Sequence, residues 1–314
     1  MPLLFAENSQ NSQNSQNSQN SQNSQNSQGE AAGGALSAAL IDSFDGIVAT
    51  ATIDPADLSD RIAALARPVD PANRYRALSP AWRAAIVDGA LAATVRVDAG
   101  ETSATVRVAG GGALCTLMRP SAAELALGLP LVRGYADLRG ERLGEIATQR
   151  GELVAFFAAL DWIDPVRTPA TLAVLNAALR FAAPVTHRIK FAFSCPRPVE
   201  FTPLIQPCIP TPTHMTLPSG HATEAHMLAG LIDRLRGATP EAGIAAMAPR
   251  WRLAARIAVN RTVAGVHFAH DSACGFALGL ALAEHLAAAG EGRGAPCGWA
   301  MDPRGWGGRD FHHG

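Results

Sequence analysis

The sequence predicts an all-α protein built as a bundle of long helices, with a small β-hairpin indicated near residues 94–108. Hydrophobic residues make up 48% of the 314 residues and charged residues only 17%, so the packed part is apolar and Ala-rich, which favours helices. The apolar residues of the segment 141–163 recur at helical spacing, at Leu143, Ile146, Leu153, Phe156, Phe157 and Leu160. Helix-starting prolines at positions 80 and 169 follow Ser79 and Thr168, which are good capping residues.

In chain order, the pattern predicts a helix over 80–94 and then two alternating segments, Thr94 to Val97 and Thr105 to Val108, which form the hairpin. Further helices are expected over 141–163 and 168–193, and Pro184 should kink or split the second of these. Residues 203–218 contain five prolines and predict an irregular loop. Three core helices are expected after it, over 219–236, 249–266 and 267–289.

The two ends of the chain differ in composition from the middle. Residues 8–28 are seven tandem Asn-Ser-Gln triplets with no apolar residue, so 1–34 should be a disordered low-complexity tail. Residues 35–290 are expected to form a single helical catalytic domain. Residues 291–314 form a Gly-rich C-terminal tail, which Trp299, Trp306 and Phe311 are expected to anchor.

Charge and composition exclude several classes of function. The net charge is −1, which gives no electrostatic reason to bind nucleic acid or an anionic membrane. The five cysteines show no CxxC pair, so neither a disulfide framework nor a zinc site is indicated. The amino terminus lacks a basic region and no apolar run reaches a membrane span of roughly 20 residues. We therefore expect a cytoplasmic protein with no membrane partner, which could form a homo-oligomer.

Three short clusters of polar residues carry the chemistry. They are Lys190 with Arg197-Pro198; Pro218-Ser219-Gly220-His221; and Arg261 with His267 and Asp271. Three cations, a hydroxyl and a glycine N–H are suited to bind an oxyanion. Of the two histidines, one could bond to the central atom of the anion and the other could transfer protons. Each cluster also has a structural interpretation, because Ser219 could be only a helix cap and His267 with Asp271 only an i,i+4 surface pair.

The joint order and spacing of these clusters resembles the type 2 phosphatidic acid phosphatase superfamily. That family includes bacterial acid phosphatases, lipid phosphatases and vanadium-dependent haloperoxidases. The similarity covers about 80 residues and reads Lys190-Phe-Ala-Phe-Ser-Cys-Pro-Arg197-Pro198, then Pro218-Ser219-Gly220-His221, then Asn260-Arg261-Thr-Val-Ala-Gly-Val-His267-Phe-Ala-His-Asp271. It departs from the family pattern at Asn260, where serine is usual.

The resemblance implies a role for each matching residue. Lys190, Arg197 and Arg261 would neutralise the oxygens of the anion, with the Ser219 hydroxyl and the Gly220 N–H as further donors. His267 would bond to phosphorus, or coordinate vanadium as its axial ligand, with Asp271 fixing its tautomer. His221 would be the general acid–base group, and the fold would be a helical bundle of the phosphatase/haloperoxidase type.

The resemblance leaves three functions open. His214, five residues before Ser219, resembles an extra histidine of vanadium bromoperoxidases, and no membrane helix or signal peptide is apparent. These features favour a haloperoxidase with a vanadate cofactor. Its substrates would be halide and hydrogen peroxide, and His214 would tune the use of halide. The alternatives are a soluble acid phosphatase that hydrolyses phosphomonoesters through a phosphohistidine without a cofactor, and a non-catalytic helical protein that retains an anion site.

Overall fold

The computed structural model of the protein describes residues 59–65, 71–291 and 299–301. The expected N-terminal tail, residues 1–34, lies outside the described residues. So does most of the C-terminal tail, residues 292–298 and 302–314, including Trp306 and Phe311. Contacts divide the described residues into two units at the boundary between Ala85 and Ile86. A single domain over 35–290 stays a prediction.

Helices make up most of the described chain, which confirms the predicted fold class. Two 3₁₀ turns are also present, at Tyr135–Leu138 and at Pro203–Ile205. The elements in order are α1 (Ser59–Leu65), α2 (Pro71–Ala77), α3 (Pro80–Ala92), β1 (Val95–Ala99), β2 (Ser103–Val108), β3 (Ala113–Met118), α4 (Ala122–Leu127), α5 (Leu129–Gly134), α6 (Arg139–Thr148), α7 (Val154–Asp161), α8 (Pro169–Phe193), α9 (Pro198–Phe201), α10 (Gly220–Leu235), α11 (Pro240–Ala245), α12 (Pro249–Val263), α13 (Ala269–Gly290) and β4 (Trp299–Met301).

The hairpin is present as β1 and β2, which pair antiparallel with Val97 opposite Val106. It belongs to a larger sheet of order β1-β2-β3-β4, in which β3 is antiparallel to β2 and β4 is parallel to β3. The sequence did not predict β3, because the segment Ala113-Leu-Cys-Thr-Leu-Met118 lacks the strict alternation of a half-buried strand. The sheet packs on the helices, with β3 against α13 and β1 against α8.

The expected single helix over 141–163 is wrong. The chain forms α6 and α7 instead, separated by a turn over residues 149–153 that contains Gly151. The Glu152 carboxylate accepts a hydrogen bond from the Val154 N–H at 3.1 Å, which supports a new helix start. Pro184 does not split α8, which is assigned as one helix from Pro169 to Phe193.

Helices α10 and α13 form the centre of the second unit and approach each other closely along two glycines of α13. A Cβ atom at Gly279 would lie 2.3 Å from the Thr223 carbonyl oxygen, and one at Gly275 would lie 2.9 Å from the Ser219 carbonyl oxygen. Both neighbours are backbone atoms, which cannot move without moving the helix. The two glycines therefore set the distance between the helices that carry the second and third sequence clusters.

Within the part of the chain that the structure describes, α13 is the helix that is long and apolar enough to cross a membrane. In its most apolar window, 72% is buried inside the protein, and a core helix of a soluble protein passes the same test of length and composition. The absence of a membrane partner stays a prediction.

We expect Gly279→Ala to destabilise the protein by about 1–3 kcal/mol, the usual range for overpacking a tight contact. The cause is the forced separation of α10 from α13. Gly290→Ala is the matched control, because it lies on the same helix and a Cβ there meets nothing within 4 Å. Urea unfolding of both variants checks this, and equal midpoints would contradict the packing argument.

Candidate active site

His267 and Asp271 form a buried pair at the start of α13. Asp271 Oδ2 accepts hydrogen bonds from His267 Nδ1 at 2.9 Å, from the Phe268 N–H at 2.9 Å and from the Thr216 hydroxyl. Because a carboxylate only accepts, the proton of the neutral ring lies on Nδ1 and the lone pair lies on Nε2. Burial lowers the pKa of His267 to about 3, although Asp271 acts in the opposite direction. The ring is therefore neutral at pH 7.

Arg197 lies directly beside the free nitrogen of His267. Its Nη1 donates to His267 Nε2 at 3.1 Å and to the Val266 carbonyl at 2.7 Å. Its Nε and Nη2 donate to the His214 carbonyl at 3.0 and 2.9 Å. Burial lowers the pKa of Arg197 to about 10, so the guanidinium stays charged at pH 7. Main-chain carbonyls, rather than carboxylates, thus hold this cation in place.

Lys190 is held in the same way. It is 1% exposed, and its Nζ donates to the carbonyls of Met215 at 2.9 Å and Thr216 at 2.8 Å. An ammonium group has three donors, so one remains for a ligand. Burial, and then the charge of Arg197, lower the pKa of Lys190 to about 7.

Arg261 is the third buried cation and is only partly satisfied. Its Nη2 donates to Gln149 Oε1 at 3.1 Å and to the Ile146 carbonyl at 3.3 Å. Its Nε and Nη1 are buried without a hydrogen-bond partner among the described residues. Buried guanidinium donors seldom lack partners, and an oxyanion is the ligand that suits a guanidinium fork best.

Ser219 caps α10, and its hydroxyl accepts from the Ala222 N–H at 3.4 Å. The Ser219 N–H donates to the Asp271 carbonyl at 2.9 Å, which joins the second cluster to the third. A Cβ at Gly220 would meet nothing within 4 Å, so the first turn of this 16-residue helix borders open space. Free N–H groups and a positive helix end in that position favour an anion.

His221 lies on the first turn of α10, with Nε2 3.1 Å from the Gln149 carbonyl oxygen. A carbonyl only accepts, so the neutral ring carries its proton on Nε2 and presents Nδ1 as an acceptor. Burial, and then the charge of Arg261, lower the pKa of His221 to about 3. A bound anion would act in the opposite direction and favour protonation.

His214 contacts the site from its exposed edge. Its Nδ1 accepts from Arg197 Nη2 at 3.1 Å, and its ring packs edge-to-face on His187 with centroids 4.9 Å apart. Burial lowers its pKa to about 4, so this ring is also neutral at pH 7. Its role in halide use stays a prediction.

The structure connects the residues of the three clusters through hydrogen bonds and adds two that the sequence analysis missed. Thr216 bonds to Asp271, and Gln149 bonds to both Arg261 and His221. Thr216 lies between His214 and Ser219 in the sequence, which was the one available signal for it. Gln149 carries no sequence signal, because it lies 72 residues from His221.

No group of three or more His, Cys, Asp or Glu side chains suited to a metal cation is present among the described residues. His267 as an axial vanadium ligand does not depend on such a group, because vanadate binds as an oxyanion in a cationic site. That ligand role stays a prediction.

We expect the affinity for sulfate to fall as the pH rises through about 7, because Lys190 loses its charge there. Sulfate does not titrate in this range, so the change must come from the protein. Glu224 also interacts with Lys190, and burial raises the pKa of Glu224 to about 7. Arg197 and Asp271 are further charges that act on Lys190. Calorimetric titration of wild type, Lys190→Met and Glu224→Gln separates these groups.

The stability contribution of Lys190 should change with pH in the opposite sense. The unfolded lysine, with a pKa of 10.5, binds more protons than the folded one above about pH 7, so its contribution to stability rises with pH over that window. The difference in the free energy of unfolding between wild type and Lys190→Met should shift in favour of wild type over the same range. A pH-independent sulfate affinity in wild type would contradict the assignment.

Comparison with known proteins gives a match over the segment that holds all three clusters. Residues 171–292 match the sequence model of the PAP2 superfamily. No curated protein matches the chain. Among solved structures, a transmembrane PAP2 type phosphatidylglycerolphosphate phosphatase from Bacillus subtilis is 19% identical, with 52% of this chain and 77% of that chain covered and a TM-score of 0.29. The match of residues 171–292 to the PAP2 superfamily agrees with the resemblance found in the sequence.

Proposed function

We propose that this protein is a phosphatase of the PAP2 superfamily that hydrolyses phosphomonoesters through a phosphohistidine at His267. The observation that carries the proposal is the orientation of His267. Its Nδ1 is tied to Asp271, while its Nε2 lone pair lies beside Arg197. His214 in the sequence favours a haloperoxidase, but nothing in the comparisons supports that branch specifically.

His267 is suited to attack phosphorus. The neutral imidazole at pH 7 offers Nε2 as a nucleophile, and Asp271 stabilises the imidazolium that forms when the P–N bond is made. As that bond forms, the bond between phosphorus and the ester oxygen breaks. Arg197, Lys190 and Arg261 oppose the charge on the phosphoryl oxygens, with the Ser219 hydroxyl and the Gly220 N–H as additional donors.

His221 is suited to handle the proton. In its protonated form Nε2–H remains on the Gln149 carbonyl, and Nδ1–H can be given to the leaving alcohol oxygen. The neutral ring then accepts a proton at Nδ1 from the water that attacks the phosphohistidine. Breaking the P–N bond releases inorganic phosphate and returns His267 to its neutral form, so protons and charges balance over the cycle.

The same residues also suit vanadate, because it has the shape and charge of phosphate. The oxygens of vanadate would be held by Lys190, Arg197, Arg261, Ser219 and Gly220, and its central atom would be held by His267 Nε2. Vanadate would supply a Lewis acid that polarises bound peroxide toward halide attack. The described site thus fits the cofactor of the alternative function. His214, the residue that favours halide chemistry, makes its hydrogen bonds to Arg197 and to its sequence neighbour Met215, and its ring packs on His187.

A small phosphomonoester is the expected substrate. Cytoplasmic location, the absence of a nucleic-acid partner and a homo-oligomeric state stay predictions alongside it.

We expect His267→Ala to remove phosphatase turnover and the covalent intermediate together, because this variant lacks the Nε2 atom that forms the P–N bond. His221→Ala should still form phosphohistidine when the leaving group is p-nitrophenolate, which needs no proton, and should lose a factor of ~10² to 10⁴ with alkyl phosphates. Acid-sensitive phosphate on the intact protein, measured by mass spectrometry after an alkaline quench, checks both. Phosphorylation of His267→Ala would refute the assignment of the nucleophile.

Halide oxidation separates the two enzyme functions. The proposal predicts that orthovanadate inhibits p-nitrophenyl phosphate hydrolysis competitively and that vanadate-saturated protein does not brominate a phenol in the presence of bromide and hydrogen peroxide. Vanadate-dependent bromination that His267→Ala abolishes, without phosphatase activity in the wild type, would replace this proposal with the haloperoxidase. Anion binding without either activity would favour the non-catalytic alternative.

A further inference from the structure

Gln149 connects two site residues from outside the segment that matches the PAP2 superfamily. It follows the last residue of α6 and is fully buried. Its main-chain carbonyl oxygen lies 3.1 Å from His221 Nε2, and its side-chain Oε1 lies 3.1 Å from Arg261 Nη2. No other residue in the described ranges is hydrogen-bonded to both.

The side chain of Gln149 is fixed in one orientation by its neighbours. Its Nε2 donates to Glu145 Oε1 at 2.8 Å, so its Oε1 must point the other way, toward Arg261. Asn260 Nδ2 donates both to Gln149 Oε1 at 3.0 Å and to Glu145 Oε1 at 2.9 Å. Arg256 in turn pairs with Glu145. The carboxamide is thus clamped between one carboxylate and two donors.

Asn260 is the position at which the chain departs from the family pattern. A serine there would have one hydroxyl hydrogen and could not donate to Glu145 and Gln149 at once. The asparagine amide makes both bonds and also accepts from Arg142 Nη1 at 3.2 Å. Asn260, the residue that departs from the family pattern, is therefore the second residue of α12, besides Arg261, that is hydrogen-bonded to the Gln149 side chain.

We propose that Gln149 is a positioning residue that orients His221 and Arg261 together. Its carbonyl keeps a proton on His221 Nε2, which leaves Nδ1 as the nitrogen that exchanges a proton with the substrate. Its carboxamide oxygen holds one nitrogen of Arg261, which leaves Nε and Nη1 for the anion. The His221 part rests on the proposed phosphatase function, whereas the Arg261 part requires only that an oxyanion binds.

A neutral amide is the required group at this position. An amide oxygen can orient a guanidinium without cancelling its charge, whereas a carboxylate would pair with Arg261 and compete with the anion. Gln149→Glu retains the size and one oxygen, and Gln149→Met retains the size without the oxygen. A residue that only fills space would leave sulfate affinity unchanged in Gln149→Met, so this variant distinguishes positioning from packing.

The test measures sulfate binding by calorimetry at pH 6, with Thr148→Ala as the matched control. Thr148 is the exposed neighbour of Gln149, and its hydroxyl donates to the Gly144 carbonyl of its own helix. Losing a hydrogen bond to a charged group corresponds to ~10-fold or more. We expect sulfate affinity to fall ~10-fold in Gln149→Met and further in Gln149→Glu, with no change in Thr148→Ala. Affinities equal to wild type in both Gln149 variants would overturn the proposal.

Asn260→Ser keeps the proposal testable if the Gln149 variants fail to fold. It restores the usual family residue and releases one donor from Gln149, so sulfate affinity should fall by a smaller factor, and unchanged affinity would overturn the inference. For His221, ¹⁵N NMR of labelled histidine should show the Nε2–H tautomer, and an Nδ1–H tautomer would overturn that half. Weakened sulfate binding in the Gln149 variants, together with a wild type that has no phosphatase activity, would refute the proposed function alone. Phosphatase activity in the wild type, together with unchanged sulfate binding in the Gln149 variants, would refute this inference alone.

Discussion

The buried carboxylate of Asp271 is the interaction on which the arrangement of the site depends. It accepts hydrogen bonds from His267, from the Phe268 N–H and from Thr216, while the Asp271 main-chain carbonyl accepts from Ser219. Burial alone would raise the pKa of this carboxyl group, yet the bonds from His267 and its other donors hold it below the usual value. One residue thus joins α13, the proline-rich loop and the start of α10, and fixes the tautomer of His267.

Among the described residues, no carboxylate is hydrogen-bonded to the side chains of the three buried cations of the site. Main-chain carbonyls hold Lys190 and Arg197, and an amide oxygen and a carbonyl hold Arg261. Desolvation of such cations is unfavourable, and burial lowers the pKa of each of them. The fold supports this arrangement because the α10–α13 packing and the Asp271 contacts position the donors before any ligand arrives. An oxyanion would offset the unbalanced charge.

Local pattern and long-range contact explain what the sequence could and could not predict. Helical periodicity predicted α8, α10, α12 and α13. The spacing of the clusters around Lys190, Ser219 and Arg261 predicted site residues, and the structure connects these clusters through hydrogen bonds. Gln149 could not be predicted, since its role arises from contacts with α10 and α12 and from a helix break at the Gly151 turn. The sequence also could not separate a phosphatase from a haloperoxidase, because phosphate and vanadate make the same demands on these donors.

The central claim is that one oxyanion binds with His267 Nε2 at its central atom and with Arg261 Nε and Nη1 at its oxygens. A crystal structure of the protein with orthovanadate tests this most directly, because vanadium adopts the five-coordinate geometry of phosphoryl transfer. The account predicts a bond from vanadium to His267 Nε2, donors from Arg197 and Arg261 on the equatorial oxygens, and His221 Nδ1 facing the opposite apical oxygen. Vanadate bonded to His221, or bound away from Arg261, would contradict it.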